Sequence, residues 1–124
     1  MVQAYYPAGA NAADFPRATW IADPAIQSAF ATSANLPAFA LSHLGSIMTN
    51  ARLDAPPTPG MFPVIVISHG WSGSRVMHAD LAEELASRGA LVLLIDHPYG
   101  ALAVTLPPCP KGERTRHSWT RLAY

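Results

Sequence analysis

The chain is short of charge and nearly without cysteine. Only 13% of its 124 residues are Asp, Glu, Lys or Arg, and Cys109 is its single thiol. One cysteine excludes an internal disulfide framework and a multi-thiolate zinc site. Eight cations balance eight anions, so the positive surplus that holds nucleic acid or anionic membrane is absent. Long apolar runs are absent as well. Pro24–Ala51 carries no Asp, Glu, Lys or Arg, but Asn35, Pro37, His43, Gly45 and Asn50 interrupt it. A spanning helix needs about 18 apolar residues in succession, so no transmembrane segment is expected, and the stretch reads as soluble structure or a lipid-touching surface. Residues 1–15 lack the basic start and apolar core of a signal peptide, which leaves the cytoplasm as the default expectation. No internal repeat is visible.

What is present suits one domain. Half of the residues are apolar, and a chain of this size buries roughly two thirds of its unfolded surface. The 12 prolines and 8 glycines cluster between apolar runs, so the composition does not point to disorder. Val2–Tyr6 reads as a strand ended by Pro7, and residues 7–22 as loop. Asp23-Pro24 places an N-cap acid before a proline at the first helical position, predicting a helix through about Ala34 that Asn35 and Pro37 close. Pro37 starts a second candidate helix, with Phe39, Leu41 and Leu44 apolar, ending near Gly45. Ile47–Leu53 reads as another strand, and Ala55-Pro56-Pro57-Thr58-Pro59-Gly60 as a linker loop.

The informative segment starts at Phe62. Val64-Ile65-Val66-Ile67 is a continuous β-branched run, the pattern of a strand buried on both faces of a parallel sheet. It ends in the small-residue turn Ser68-His69-Gly70-Trp71-Ser72-Gly73-Ser74-Arg75. A helix is predicted over about Val76–Arg88, its apolar face set by Met77, Leu81 and Leu85, with Asp80, Glu83 and Glu84 largely off that stripe. Gly89 stands where a C-terminal cap belongs. Leu91–Ile95 is a second apolar strand, running into Asp96-His97-Pro98-Tyr99-Gly100. Strand, turn, helix and strand together make a βαβ unit over 62–96, and hence a parallel sheet with a right-handed crossover. The chain changes character after residue 106. Residues 1–106 hold four cations and seven anions; residues 107–124 hold four cations and one anion. The segment 107–124 is read as an irregular basic tail from a reading frame that is not the native one.

Both turns lie at the carboxyl ends of strands, where open α/β sheets carry their sites. Gly70 and Gly73 let backbone approach a ligand closely, and the helix that follows opens with unpaired amides. Amides aimed that way stabilise a developing oxyanion. A phosphate-binding loop needs a Lys before Ser or Thr, and a dinucleotide fingerprint needs a third glycine; neither is present. Gly70-Trp71-Ser72-Gly73-Ser74 falls one residue short of the G-x-S-x-G nucleophile elbow, because Ser74 stands in the place of the second glycine.

The run Phe62–Arg75 resembles the oxyanion-hole strand and loop of the α/β-hydrolase superfamily. More narrowly, it is similar to the platelet-activating-factor acetylhydrolase group and its bacterial esterase relatives. Leu81–Gly89, Leu91–Ile95 and Asp96-His97 continue the likeness, which is loose before residue 62 but includes Tyr5-Tyr6-Pro7-Ala8. The resemblance implies an α/β fold, a hydrolase of carboxylic esters acting through an acylated serine, and no metal or organic cofactor. It implies that the Trp71 backbone N–H belongs to the oxyanion hole and that His69 and Gly70 shape the loop. Nucleophile, acid and base come later in the order of that family. No G-x-S-x-G occurs in the sequence, so the expectation is the N-terminal portion of the domain, residues 1–106, without its C-terminal half, inactive by itself.

Other readings compete at the same residues. Ser72 is a nucleophile only if His69 and either Asp96 or His97 assemble beside it; otherwise Ser72 and Ser74 bond the helix N-terminus. Trp71 walls an acyl pocket or simply packs. Asp96 and His97 read as loop-shaping residues. His43 and His78 have no partners at ligand spacing. Cys109 lies among prolines with no activating base, and Arg114, Arg116 and Arg121 read as a solvated segment. The function expected is hydrolysis of small acyl or lipid esters at family level. The alternative is a short non-catalytic interaction protein that pairs, or self-associates, through an exposed sheet edge.

Overall fold

The structure, a computed structural model, describes residues 1–105 and 119–123. A six-stranded mixed sheet runs through it. Its strands are β1 (Val2–Tyr6), β2 (Arg17–Thr19), β3 (Met48–Leu53), β4 (Val64–Ser68), β5 (Leu91–Ile95) and β6 (Trp119–Ala123), in the order β2-β3-β6-β1-β5-β4. The helices are α1 (Pro24–Ser33) and α2 (Ala79–Ser87).

The expected βαβ unit is present: β4 and β5 pair in parallel, Val64 against Leu91 through Ser68 against Ile95, with α2 as the crossover. The mostly parallel sheet is not. Only β4–β5 and β1–β6 are parallel; β1–β5, β2–β3 and β3–β6 are antiparallel. The difference lies outside the βαβ unit, in pairings between strands distant in sequence. Residues 7–22, read as loop, contribute the short strand β2, whose Arg17 faces Arg52 of β3. Of the tail read as irregular, Trp119–Ala123 form β6, which lies between β1 and β3 and pairs with both. Cys109, Arg114 and Arg116 lie outside the described residues.

Local chemistry explains α1. The Asp23 carboxylate accepts from the Ala25 amide at 2.9 Å, Pro24 opens the helix, and Asn35 leaves it with a left-handed φ of 58°. The second helix expected after Pro37 does not form. The segment is drawn instead into successive four-residue turns, Ala40 N–H to Pro37 O, Ser42 to Phe39 and Leu44 to Leu41, with one short 3-10 turn at Ser42–Ser46.

The predicted face of α2 is also corrected. Of its three residues Leu85 packs partly buried against the core, but Met77 and Leu81 are exposed, while Ala79, Ala82, Glu83 and Ala86 are buried. Those four fall at i, i+3, i+4 and i+7, an equally helical stripe. Alanine lets the helix lie close on Tyr5, Val92, Leu94, Ala51 and Leu122 of the sheet, with Ile65 and Ile67 at the margin. Glu83 is buried because its two carboxylate oxygens accept the amides of Asn50 (3.3 Å) and Ala51 (3.4 Å). The opposite face of the sheet is thinner: Ala4, Tyr6 and Ala55, flanked by Phe15, Leu91 and Leu93. Val64 and Val66, expected to be buried on both sides of β4, are 59% and 56% exposed there. Among the described residues no helix is long and apolar enough to cross a membrane.

Tyr5 sits at the centre of the α2 side, 1% exposed, its hydroxyl accepting from Gln3 Nε2 at 3.0 Å. Burial first, and the negative Glu83 second, push its ionisation well above the ordinary 10.0. The folded chain therefore keeps a proton that the unfolded chain releases, and stability falls as pH climbs past 10. Denaturant midpoints measured across that range are expected to drop steeply for the wild type and less steeply for Tyr5→Phe.

Candidate oxyanion loop and the Ser68–His97 pair

Asp96, just beyond β5, is 1% exposed. Its Oδ1 accepts the Arg75 amide at 2.7 Å, and its Oδ2 is ion-paired with the Arg75 guanidinium. Arg75 Nε donates onward to Gln3 Oε1 at 3.1 Å, and Gln3 to Tyr5. Backbone bonds close the same corner, from Met1 N to Asp96 O (3.0 Å) and from Asp96 N to Met1 O (2.9 Å). One buried carboxylate thus ties the end of β5 to β1 and to the start of the 3-10 turn Arg75–His78 that leads into α2.

His69 lies against this anchor, its side chain 1% exposed, with Nε2 3.4 Å from Asp96 Oδ1 and 3.4 Å from the His97 amide nitrogen. Its Nδ1 is 2.7 Å from the Gly70 carbonyl oxygen. A carbonyl only accepts, so the ring proton on Nδ1 donates. The Gly73 amide donates to the same oxygen at 3.0 Å. The Gly70 carbonyl and the Trp71 amide belong to one planar peptide unit and point in opposite directions. Two donors on the carbonyl therefore fix where the Trp71 N–H points, and among the described residues that amide has no acceptor.

The glycine that the loop requires is Gly73. A Cβ there falls 3.0 Å from His69 Cβ and 3.1 Å from the Gly70 oxygen, whereas a Cβ on Gly70 meets nothing. Trp71 does not pack: it is 88% exposed. Ser72 holds a left-handed φ of 59°, and its amide donates to Gly100 O at 2.7 Å.

The self-contained Ser72 triad is not assembled. His69, Asp96 and His97 do come together, but the Ser72 hydroxyl bonds none of them; Nδ1 of His69 is occupied by Gly70 and its Nε2 faces Asp96. Ser74 precedes the 3-10 turn as its N-cap residue without a side-chain bond to it, and its buried Oγ has no partner among the described residues. The first amide of the turn, that of Arg75, donates to Asp96 instead. A different serine meets a histidine. Ser68 Oγ and His97 Nε2 are 2.6 Å apart, both residues exposed, and the His97 ring stands edge-on to His69 at 5.0 Å between centroids. The signal for this pair was the register: Ser68 faces Ile95 across the parallel ladder, so a residue two places past Ile95 rises beside it. Among the described residues no group of three or more His, Cys, Asp and Glu is arranged to hold a metal ion.

A mixed sheet with a parallel strand–helix–strand unit and a His-Gly loop at its carboxyl end is a partial α/β-hydrolase fold. It superposes on a ferulic acid esterase from Streptomyces cinnamoneus with a TM-score of 0.64 at 29% identity, covering 87% of this chain and 27% of that one. The family model for platelet-activating factor acetylhydrolase, isoform II, matches residues 1–120. The platelet-activating factor acetylhydrolase of Cavia porcellus is 30% identical over 122 residues, covering 93% of this chain and 28% of that protein. Its counterpart from Canis lupus familiaris is 36% identical over 62 residues, 49% of this chain and 14% of that protein. The chain belongs to the platelet-activating factor acetylhydrolase, isoform II, family, and spans 28% or less of the length of these curated relatives.

The anchor gives a stability prediction. Asp96→Asn keeps the shape but leaves the Arg75 guanidinium without its counter-charge, and is expected to cost about 3–5 kcal/mol. The double change Asp96→Leu with Arg75→Met removes both charges and is expected to recover most of that loss. Urea unfolding of the wild type, Asp96→Asn and the double variant checks both.

Proposed function

We propose that this chain carries the oxyanion-binding part of a carboxylic-ester hydrolase, whose substrates are short-chain acyl or lipid esters. Family membership supports the ester chemistry. The observation that supports the local role is the Gly70–Trp71 peptide, its carbonyl held by His69 Nδ1 and Gly73 N–H and its opposing amide without an acceptor among the described residues. In this reading a serine attacks the ester carbonyl, the Trp71 N–H receives the negative charge that develops on oxygen, and water then releases the acid. His69 and Gly70 set the donor's direction and do not exchange protons with substrate. The sequence contains no G-x-S-x-G, so the attacking serine of this scheme is not assigned to a residue here. No metal or organic cofactor enters the scheme.

The test is an amide titration. Dimethyl phosphate, a tetrahedral anion, is added to the isotopically labelled chain while amide resonances are followed. The largest shift is expected at Trp71, weakened in His69→Phe, which keeps the ring's bulk but loses the donor to Gly70. Shifts spread evenly over the chain, or centred elsewhere, overturn the assignment.

A second reading, association through a sheet edge, rests on β4. Among the described residues β5 is its one neighbour in the sheet, and it exposes Val64 and Val66. A discrete dimer in size-exclusion chromatography that Val66→Lys converts to monomer is the outcome this reading requires; a wild-type monomer removes it.

A further inference from the structure

The Ser68–His97 pair is used by none of the chemistry above. We propose that Ser68 is an acyl acceptor, with His97 as its general base, capturing the acyl group of activated esters. Three features carry this. First, Oγ and Nε2 are 2.6 Å apart, the separation at which an imidazole nitrogen takes a hydroxyl proton. Second, the competing histidine is committed elsewhere: His69 is buried, with its two nitrogens directed at Gly70 and Asp96, whereas His97 has no partner on Nδ1 among the described residues. With the ring proton on Nδ1, solvent satisfies that side and Nε2 is left with its lone pair toward Ser68. Third, both residues are exposed at the carboxyl ends of adjacent parallel strands, so an ester can reach Oγ without any movement of the core.

The step balances as follows. The Ser68 hydroxyl proton passes to His97 Nε2 as Oγ bonds to the ester carbonyl carbon. The tetrahedral intermediate collapses, the bond to the leaving oxygen breaks, and His97 returns the proton to that oxygen. The products are O-acyl Ser68, a neutral imidazole and the free alcohol or phenol. Among the described residues no carboxylate orients His97 through Nδ1, so the second half-reaction, in which water is deprotonated to release the acid, lacks the support that a full triad gives it. Capture without sustained turnover is the result. This goes beyond the oxyanion assignment and does not require it: a failed titration at Trp71 leaves Ser68 capture intact, and the reverse also holds.

The experiment mixes the purified chain with p-nitrophenyl acetate, follows nitrophenolate release and locates the label by peptide mass analysis. A burst of about one nitrophenolate per chain is expected, with one acetyl group on the peptide containing Ser68 and attachment at Ser68 itself. Ser68→Ala is expected to abolish burst and label. His97→Gln, which still bonds Oγ but cannot take its proton, is expected to slow the burst roughly 10²-fold. Circular dichroism checks that both exposed-site variants fold as the wild type does. An acetyl group on Ser72 or an amine instead, a burst unchanged in Ser68→Ala, or a rate unchanged in His97→Gln each overturns the proposal.

Discussion

The buried carboxylate of Asp96 is the constraint on which the loop geometry rests. Placing a charge there is unfavourable unless every oxygen is answered. Arg75 answers twice, by its amide and by its guanidinium. That double bond fixes where the 3-10 turn begins, and so where α2 lies on the sheet. It also leaves His69 one orientation, edge toward Asp96 and Nδ1 toward Gly70. The direction of the Trp71 amide is then a consequence of a carboxylate that the amide never touches.

The site has two layers with different tasks. The inner layer, Asp96, Arg75, Gln3 and His69, is buried or nearly so and linked by hydrogen bonds. The outer layer, Trp71, Ser68 and His97, is exposed. A donor held by buried groups does not have to reorganise when charge appears beside it, which is the physical content of electrostatic preorganisation. Ser74 is the exception inside the inner layer: a fully buried hydroxyl without a partner among the described residues. Asp96, and not Ser74, accepts the first amide of the turn that follows.

Local features were legible in the sequence. Asp23-Pro24, Gly89 and the strand–helix–strand order all work over a few residues and appear as read; the β-branched run Val64–Ile67 forms its strand but is not buried on both faces. Features that depend on distant partners were not. The face of α2 was assigned to Met77, Leu81 and Leu85 because large apolar residues dominate a hydrophobic stripe, yet only Leu85 packs on the core, and alanines and Glu83 face the sheet where β3 supplies amides for the carboxylate. The Ser72 reading followed a near-motif that Ser68 stands outside; which serine meets His97 is decided by strand register. The His-Gly loop was legible as a sequence pattern, but the two bonds on the Gly70 carbonyl that orient it were not.

The position of β6 has a consequence for the order in which the sheet can be built. β1 and β3 come early in the chain, yet each borders β6, whose residues come more than sixty positions after the end of β3. A ribosome adding about 5–20 residues per second therefore releases β1 and β3 several seconds before the strand that joins them exists. The βαβ unit from β4 to β5 can close during that interval from its own residues, while the other half of the sheet waits with open edges. Synthesis thus divides the molecule differently from its architecture: a corner that assembles early around Asp96, and a central strand that arrives after both of its neighbours.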